Sequence, residues 1–145
     1  MFLGKFSRTL DAKGRFSVPS TFRGPLAAGA YVTQGFDRNL QVLTSEAFQE
    51  IYRTVASLNI ANPLARLLLR LILGSAHVSE VDSSGQLIIP EELKEFANLQ
   101  SDVFLIGQGE YFEIWSPEAW DRQEAQIRDA ESNAARFSAL TITAR

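Results

Sequence analysis

Asp11, Lys13, Gly14 and Arg15 fall in one short segment, with Arg8 just before it. The planar fork of an arginine can grip a phosphate or the O6/N7 edge of guanine, and lysine is a mobile point charge suited to phosphate. A carboxylate cannot attract an anion. Asp11 is expected instead to bond turn N–H groups or to orient Arg15, and Gly14 to supply the backbone freedom that keeps the loop narrow. The candidate contacts to a nucleic-acid anion are therefore Arg15, Lys13 and, as a flanking phosphate contact, Arg8. The plainer reading of the same residues is an ordinary turn carrying a surface ion pair between Asp11 and Arg15.

The elements that must position these groups occur twice. Asp11-Ala-Lys-Gly-Arg-Phe-Ser-Val-Pro19 returns as Asp82-Ser-Ser-Gly-Gln-Leu-Ile-Ile-Pro90, displaced by 71 residues. Leu40 to Phe48 returns as Phe112 to Trp120, displaced by 72, so one unit has been duplicated. In the first copy Phe6 to Leu10 alternates, meets the turn, and continues with Phe16 and Val18 on one strand face, which predicts a hairpin. Leu87 and Ile89 keep that inward pair in the second copy, whereas Gln86 stands where Arg15 stands in the first.

Pro19 and Pro90 suit the first turn of a helix. Strand pairs are expected from Tyr31 to Gln34 with Leu40 to Leu43, and from Val103 to Ile106 with Phe112 to Trp115. Thr44 and Ser116 are expected helix N-caps, the second followed by Pro117. Each half thus reads β-β-α-β-β-α. Between them Asn62-Pro63 to Gly74 predicts a linker helix, apolar around most of its girth and so buried on several sides. The expected divisions are a first repeat over 1–58, the linker helix over 59–75, a second repeat over 76–137 and a loose tail over 138–145.

The copies differ in charge. Residues 6–25 hold Arg8, Lys13, Arg15 and Arg23 against Asp11, a net +3, while residues 77–96 hold Lys94 against Glu80, Asp82, Glu91, Glu92 and Glu95, a net −4. A total of −3 over 145 residues hides this asymmetry, which favours an anion-facing surface on the first copy. At 46% hydrophobic and 21% charged, the composition is that of a globular domain. The absence of cysteine excludes disulfides, thiolate metal sites and thiol catalysis. The most apolar run, Leu64 to Leu73, is too short to span a bilayer and carries Arg66 and Arg70. His77 is the single histidine, and no Ser-His-Asp, HExxH or Walker pattern is present, so neither catalysis nor a cofactor, metal, membrane or small-molecule substrate is expected.

The paired Asp-x-x-x-Arg pattern, the Asn-Pro-x-x-Arg-x-x-x-Arg-x-x-x-Gly linker and the Met-Phe start resemble the MraZ family of bacterial regulators over residues 1 to about 125. The resemblance implies an α+β fold, a tandem swapped-hairpin β-core like that of AbrB and SpoVT with helices around it. It also implies a cytoplasmic, nucleoid-associated DNA-binding regulator that forms a ring-like homo-oligomer on repeated double-stranded sites upstream of the division and cell-wall gene cluster. Repression by occlusion of polymerase is the simpler expectation. Carried over by position, Asp11 to Arg15 matches the first motif, and Gln86 departs from the second. An oligomeric protein-interaction scaffold without specific DNA binding is the alternative.

Overall fold

The computed structural model describes residues 1–140, so the expected tail lies outside the described residues from 141 onward. In the first half the elements are β1 (Lys5–Thr9), β2 (Arg15–Ser17), α1 (Ser20–Arg23), β3 (Ala30–Gln34), β4 (Leu40–Thr44) and α2 (Ser45–Ala56). Helix α3 (Pro63–Ser75) leads to the second half: β5 (His77–Ser79), β6 (Gln86–Ile88), α4 (Glu91–Phe96), β7 (Asp102–Gly107), β8 (Tyr111–Trp115), α5 (Pro117–Arg128) and α6 (Ala130–Phe137). The class is α+β, and the two halves repeat the same order of elements.

Both predicted turns form, but neither closes a hairpin. Gly14 N–H donates to Asp11 O at 3.0 Å and Asp11 N–H to Arg15 O at 2.9 Å; in the second turn, Gly85 to Asp82 and Asp82 to Gln86 are each 2.9 Å. Beyond the turns the strands part. β1 pairs antiparallel with β7 of the other copy, Phe6 opposite Leu105, and β5 pairs with β3, Val78 opposite Tyr31. β2 pairs with β6, Phe16 opposite Leu87. The result is a six-stranded sheet in the order β1-β7-β8-β4-β3-β5 and a separate two-stranded ribbon, β2-β6. The alternation in the sequence specifies which side chains face inward, and that requirement is met equally well by a strand from the other copy.

The inward side chains confirm this. Phe16, Val18, Leu87 and Ile89 are all buried and belong to one core with Val32, Leu40, Val42, Leu105 and Ile114. Phe22 of α1 joins Phe2 and Phe112, its ring centroid 5.0 Å from each. Such ring pairs add about 0.5–1.5 kcal/mol beyond area burial. Phe2 reaches this cluster because the N-terminal segment lies against the turn between β7 and β8: Phe2 and Gly109 exchange backbone bonds of 2.8 and 2.9 Å. A Cβ at Gly107 would come within 2.6 Å of the Leu3 backbone, so that glycine permits the close approach.

The strand pairs β3-β4 and β7-β8 form as expected. Thr44 Oγ1 accepts from Ala47 N–H at 3.0 Å, and Ser116 Oγ accepts from Ala119 N–H at 3.2 Å. Pro19 and Pro90 stand one residue before the first turns of α1 and α4 instead of within them. Helix α3 continues through Gly74, because Ser75 Oγ donates to Leu71 O and lies 2.9 Å from Thr33 Oγ1, tying the last turn to β3. It is also less covered than its composition suggests. Ala65 and Ile72 are buried, but Leu64 and Leu67 are 72% and 61% exposed. A single chain covers only one side of this helix.

Candidate nucleic-acid interface

Asp11 organises the first turn through both carboxylate oxygens. Oδ1 accepts the N–H groups of Lys13 and Arg15, each at 2.9 Å, and Oδ2 accepts Arg15 Nε at 2.8 Å. The Arg15 backbone N–H, then its guanidinium, hold the Asp11 carboxyl below its ordinary range. With Nε fixed, the Nη1 and Nη2 donors of Arg15 have no protein acceptor among the described residues, and the side chain is 39% exposed. Lys13 is exposed beside it. An aspartate that pins one edge of a guanidinium leaves the other edge as a fixed donor pair for an incoming oxygen.

Gly14 has φ +82°, where only glycine is comfortable, and a Cβ there would stand 2.9 Å from Ile89 O. Its own carbonyl accepts from Ile89 N–H at 2.8 Å. Thus the side of the turn left bare by Gly14 is filled by the second copy, and the glycine serves the joint between copies. The aliphatic stem of Lys94, from α4, lies along the same place.

Arg8 is not beside Arg15. Its Nε donates to Ser17 O and its Nη1 to Ser7 O, both at 2.9 Å, which carries it to the far end of β2. Ser17 is opposite Gln86 in the ribbon, so Arg8 lies toward the second turn. There Asp82 repeats the role of Asp11, Oδ1 accepting from Ser84 and Gln86 N–H at 2.9 Å, but with no guanidinium on its other oxygen among the described residues.

Arg23, which the sequence reading counted as charge without assigning it to the site, covers this second turn. Its Nε donates to Val18 O at 2.8 Å, Nη2 reaches Ser17 Oγ at 3.5 Å, and a Cβ at Gly85 would stand 2.7 Å from Nε. Arg23 and Lys94 are themselves 71 residues apart, the displacement of the repeat, and each lies over the turn of the other copy. That equivalence was present in the sequence as a signal. Strand exchange therefore mixes the charges that the linear count separated: the acidic α4 borders the basic first turn, and Arg8 and Arg23 border the neutral second one.

The remaining candidates have structural partners. His77 Nδ1 is 3.0 Å from Ser75 O. Arg66 Nη1 donates to the carbonyls of Ile60 and Ala61 just before α3.

A family described as "MraZ protein, putative antitoxin-like" matches the chain over residues 1–71 and again over 72–141. The chain is similar to a protein of Thermomicrobium roseum named transcriptional regulator MraZ, at 36% identity over 97% of this chain and 99% of that one. It is similar also to proteins of the same name from Roseiflexus castenholzii, at 36% identity covering 95% of this chain and 94% of the relative, and from Carboxydothermus hydrogenoformans, at 37% covering 83% and 85%.

Proposed function

The chain belongs to the MraZ family, and from that premise we propose that it regulates transcription by binding duplex DNA through the turn built on Asp11 and Arg15. The family name denotes regulation of transcription, which is not a class of catalysis. The observation that carries the DNA reading is the posture of Arg15: Nε is fixed on Asp11, while neither Nη group has a protein acceptor among the described residues and the side chain is 39% exposed. Arg15 reads a base edge or a phosphate, and Lys13 neutralises phosphate. The DNA is the set of repeats upstream of the division and cell-wall genes, and occupancy there represses by blocking polymerase. The protein works in the cytoplasm at the nucleoid; no helix among the described residues is long and apolar enough to cross a membrane.

Magnitude argues for assembly. Two or three phosphate contacts per chain give a salt slope of only about −2 to −3, which is weak binding near physiological salt. Linking several chains in a ring raises the effective concentration of each further turn without new contacts. The exposed Leu64 and Leu67, one turn apart on α3, support burial against another copy.

A mobility-shift titration with duplex from upstream of its own gene, over a salt series, tests the reading. Wild type binds and weakens as salt rises, and Arg15→Ala loses repeat-specific binding. Absence of wild-type binding at low salt sinks the proposal in favour of a protein-interaction scaffold. Light scattering on the eluting protein gives a multiple of the chain mass, and a single-chain mass refutes the ring.

A further inference from the structure

We infer that the cleft between the β3–β4 turn, α4 and α5 binds a small zwitterion, an amino acid or short peptide whose carboxylate meets Arg38 and Arg122 and whose ammonium meets Glu95 and Glu118. This goes beyond the DNA reading and does not depend on it. The cleft has a volume of 510 Å³, within the range of small-molecule sites, and Phe96, Ala97 and Ala119 add apolar lining. Its occupant is a ligand held and released, not a substrate.

The charges of the cleft carry the assignment. Two guanidinium groups and two carboxylates line it, yet among the described residues none of the four side chains forms an ion pair or a hydrogen bond. Elsewhere neighbouring acids and arginines do pair, as Arg15 does with Asp11 and Arg128 with Glu124. A simple anion here would meet Glu95 and Glu118, and a simple cation would meet both arginines. Only a molecule of both signs satisfies each group without a like-charge contact. Arg38 stands against Phe96, its Cζ 5.8 Å from the ring centroid, and keeps this position at a φ of +57°, where glycine would be relaxed. Glycine there would ease the turn and remove the cation.

The duplication supplies an internal comparison. Arg38, Ala119 and Arg122 stand 72 residues after no arginine: their equivalents are Glu110, Ala47 and Glu50, which line a cleft of 320 Å³ in the other half. Leu43, Ile51 and Tyr111 line the rest of that cleft, and Glu50 is paired with Arg53. The repeated fold thus forms a cleft at this place without the arginines, and the unpaired mixture of charges belongs to the second half. Helix α4 also lays Lys94 along Gly14, so an occupant sits one helix away from the first turn.

Isothermal titration of the intact protein with alanine and with dialanine distinguishes a free amino acid from a peptide, and N-acetyl-dialanine amide, which lacks both charges, is the reference. At least one zwitterion is expected to bind with a Kd below about 1 mM, and the blocked peptide not to bind. Arg122→Gln and Glu118→Gln should each weaken that binding about ten-fold or more. Both side chains are exposed, so the thermal transition of each variant is expected to match wild type, which separates lost contact from lost fold. A Kd above about 1 mM for both zwitterions overturns the site, as does equal binding by the blocked peptide or by both variants. No measurement here involves DNA, so the outcome is independent of whether the first turn binds it.

Discussion

Asp11 is a titratable group whose ordinary range lies far from neutrality, and its geometry makes a definite pH forecast. Its carboxyl is lowered from 3.8, first by the Arg15 backbone N–H and then by the Arg15 side chain. A depressed folded-state value means that the turn's contribution to stability is complete above the unfolded value and fades as pH falls through the lower folded one. A carboxyl NMR titration should therefore place the Asp11 midpoint below 3.8. In Arg15→Ala it should rise only part of the way back, because the backbone donor remains; full return would show that the guanidinium dominates. The pairing of Asp11 with Arg15 was legible from four-residue spacing and charge. Arg8's destination was not, since its bond partner, Ser17 O, is set by where β2 runs after the turn.

Among the elements, the turns show most clearly how much the sequence can convey. Asp at the first and Gly at the fourth position announced both turns, and Thr44 and Ser116 announced their helices through the hydroxyl each places over a free N–H. The strands' facing was equally plain in Phe16, Val18, Leu87 and Ile89. Their pairing was not, because an alternating segment carries no label for its partner. The turn glycines give a measurable contrast. Gly14→Ala meets both a φ of +82° and Ile89 O, whereas Gly24→Ala places its methyl in open space at an ordinary helical φ. Chemical denaturation should show Gly14→Ala costing about 1–3 kcal/mol and Gly24→Ala neutral or slightly stabilising. Equal effects would mean that the joint between turn and second copy yields easily.

For the molecule, neither half is complete. β1 lacks its partner without β7, β5 without β3, and β2 without β6. A fragment of residues 1–74 is expected to be unfolded or to pair with its own kind; a monomer with a cooperative melting transition would contradict the interlocked core. The same interlocking redistributes the charges that the linear count separates. Adding charges along the chain counted Arg23 with the first copy, but α1 lies over the second turn. It also governs the order in which the protein can be made. The ribosome releases β1 long before β7, and at about 5–20 residues per second Phe6 waits on the order of 5–20 s for Leu105 to be synthesised. During translation the nascent first half must keep its unpaired strand edges from neighbouring chains, so final closure waits until β7, the strand that bridges β1 to the sheet, emerges.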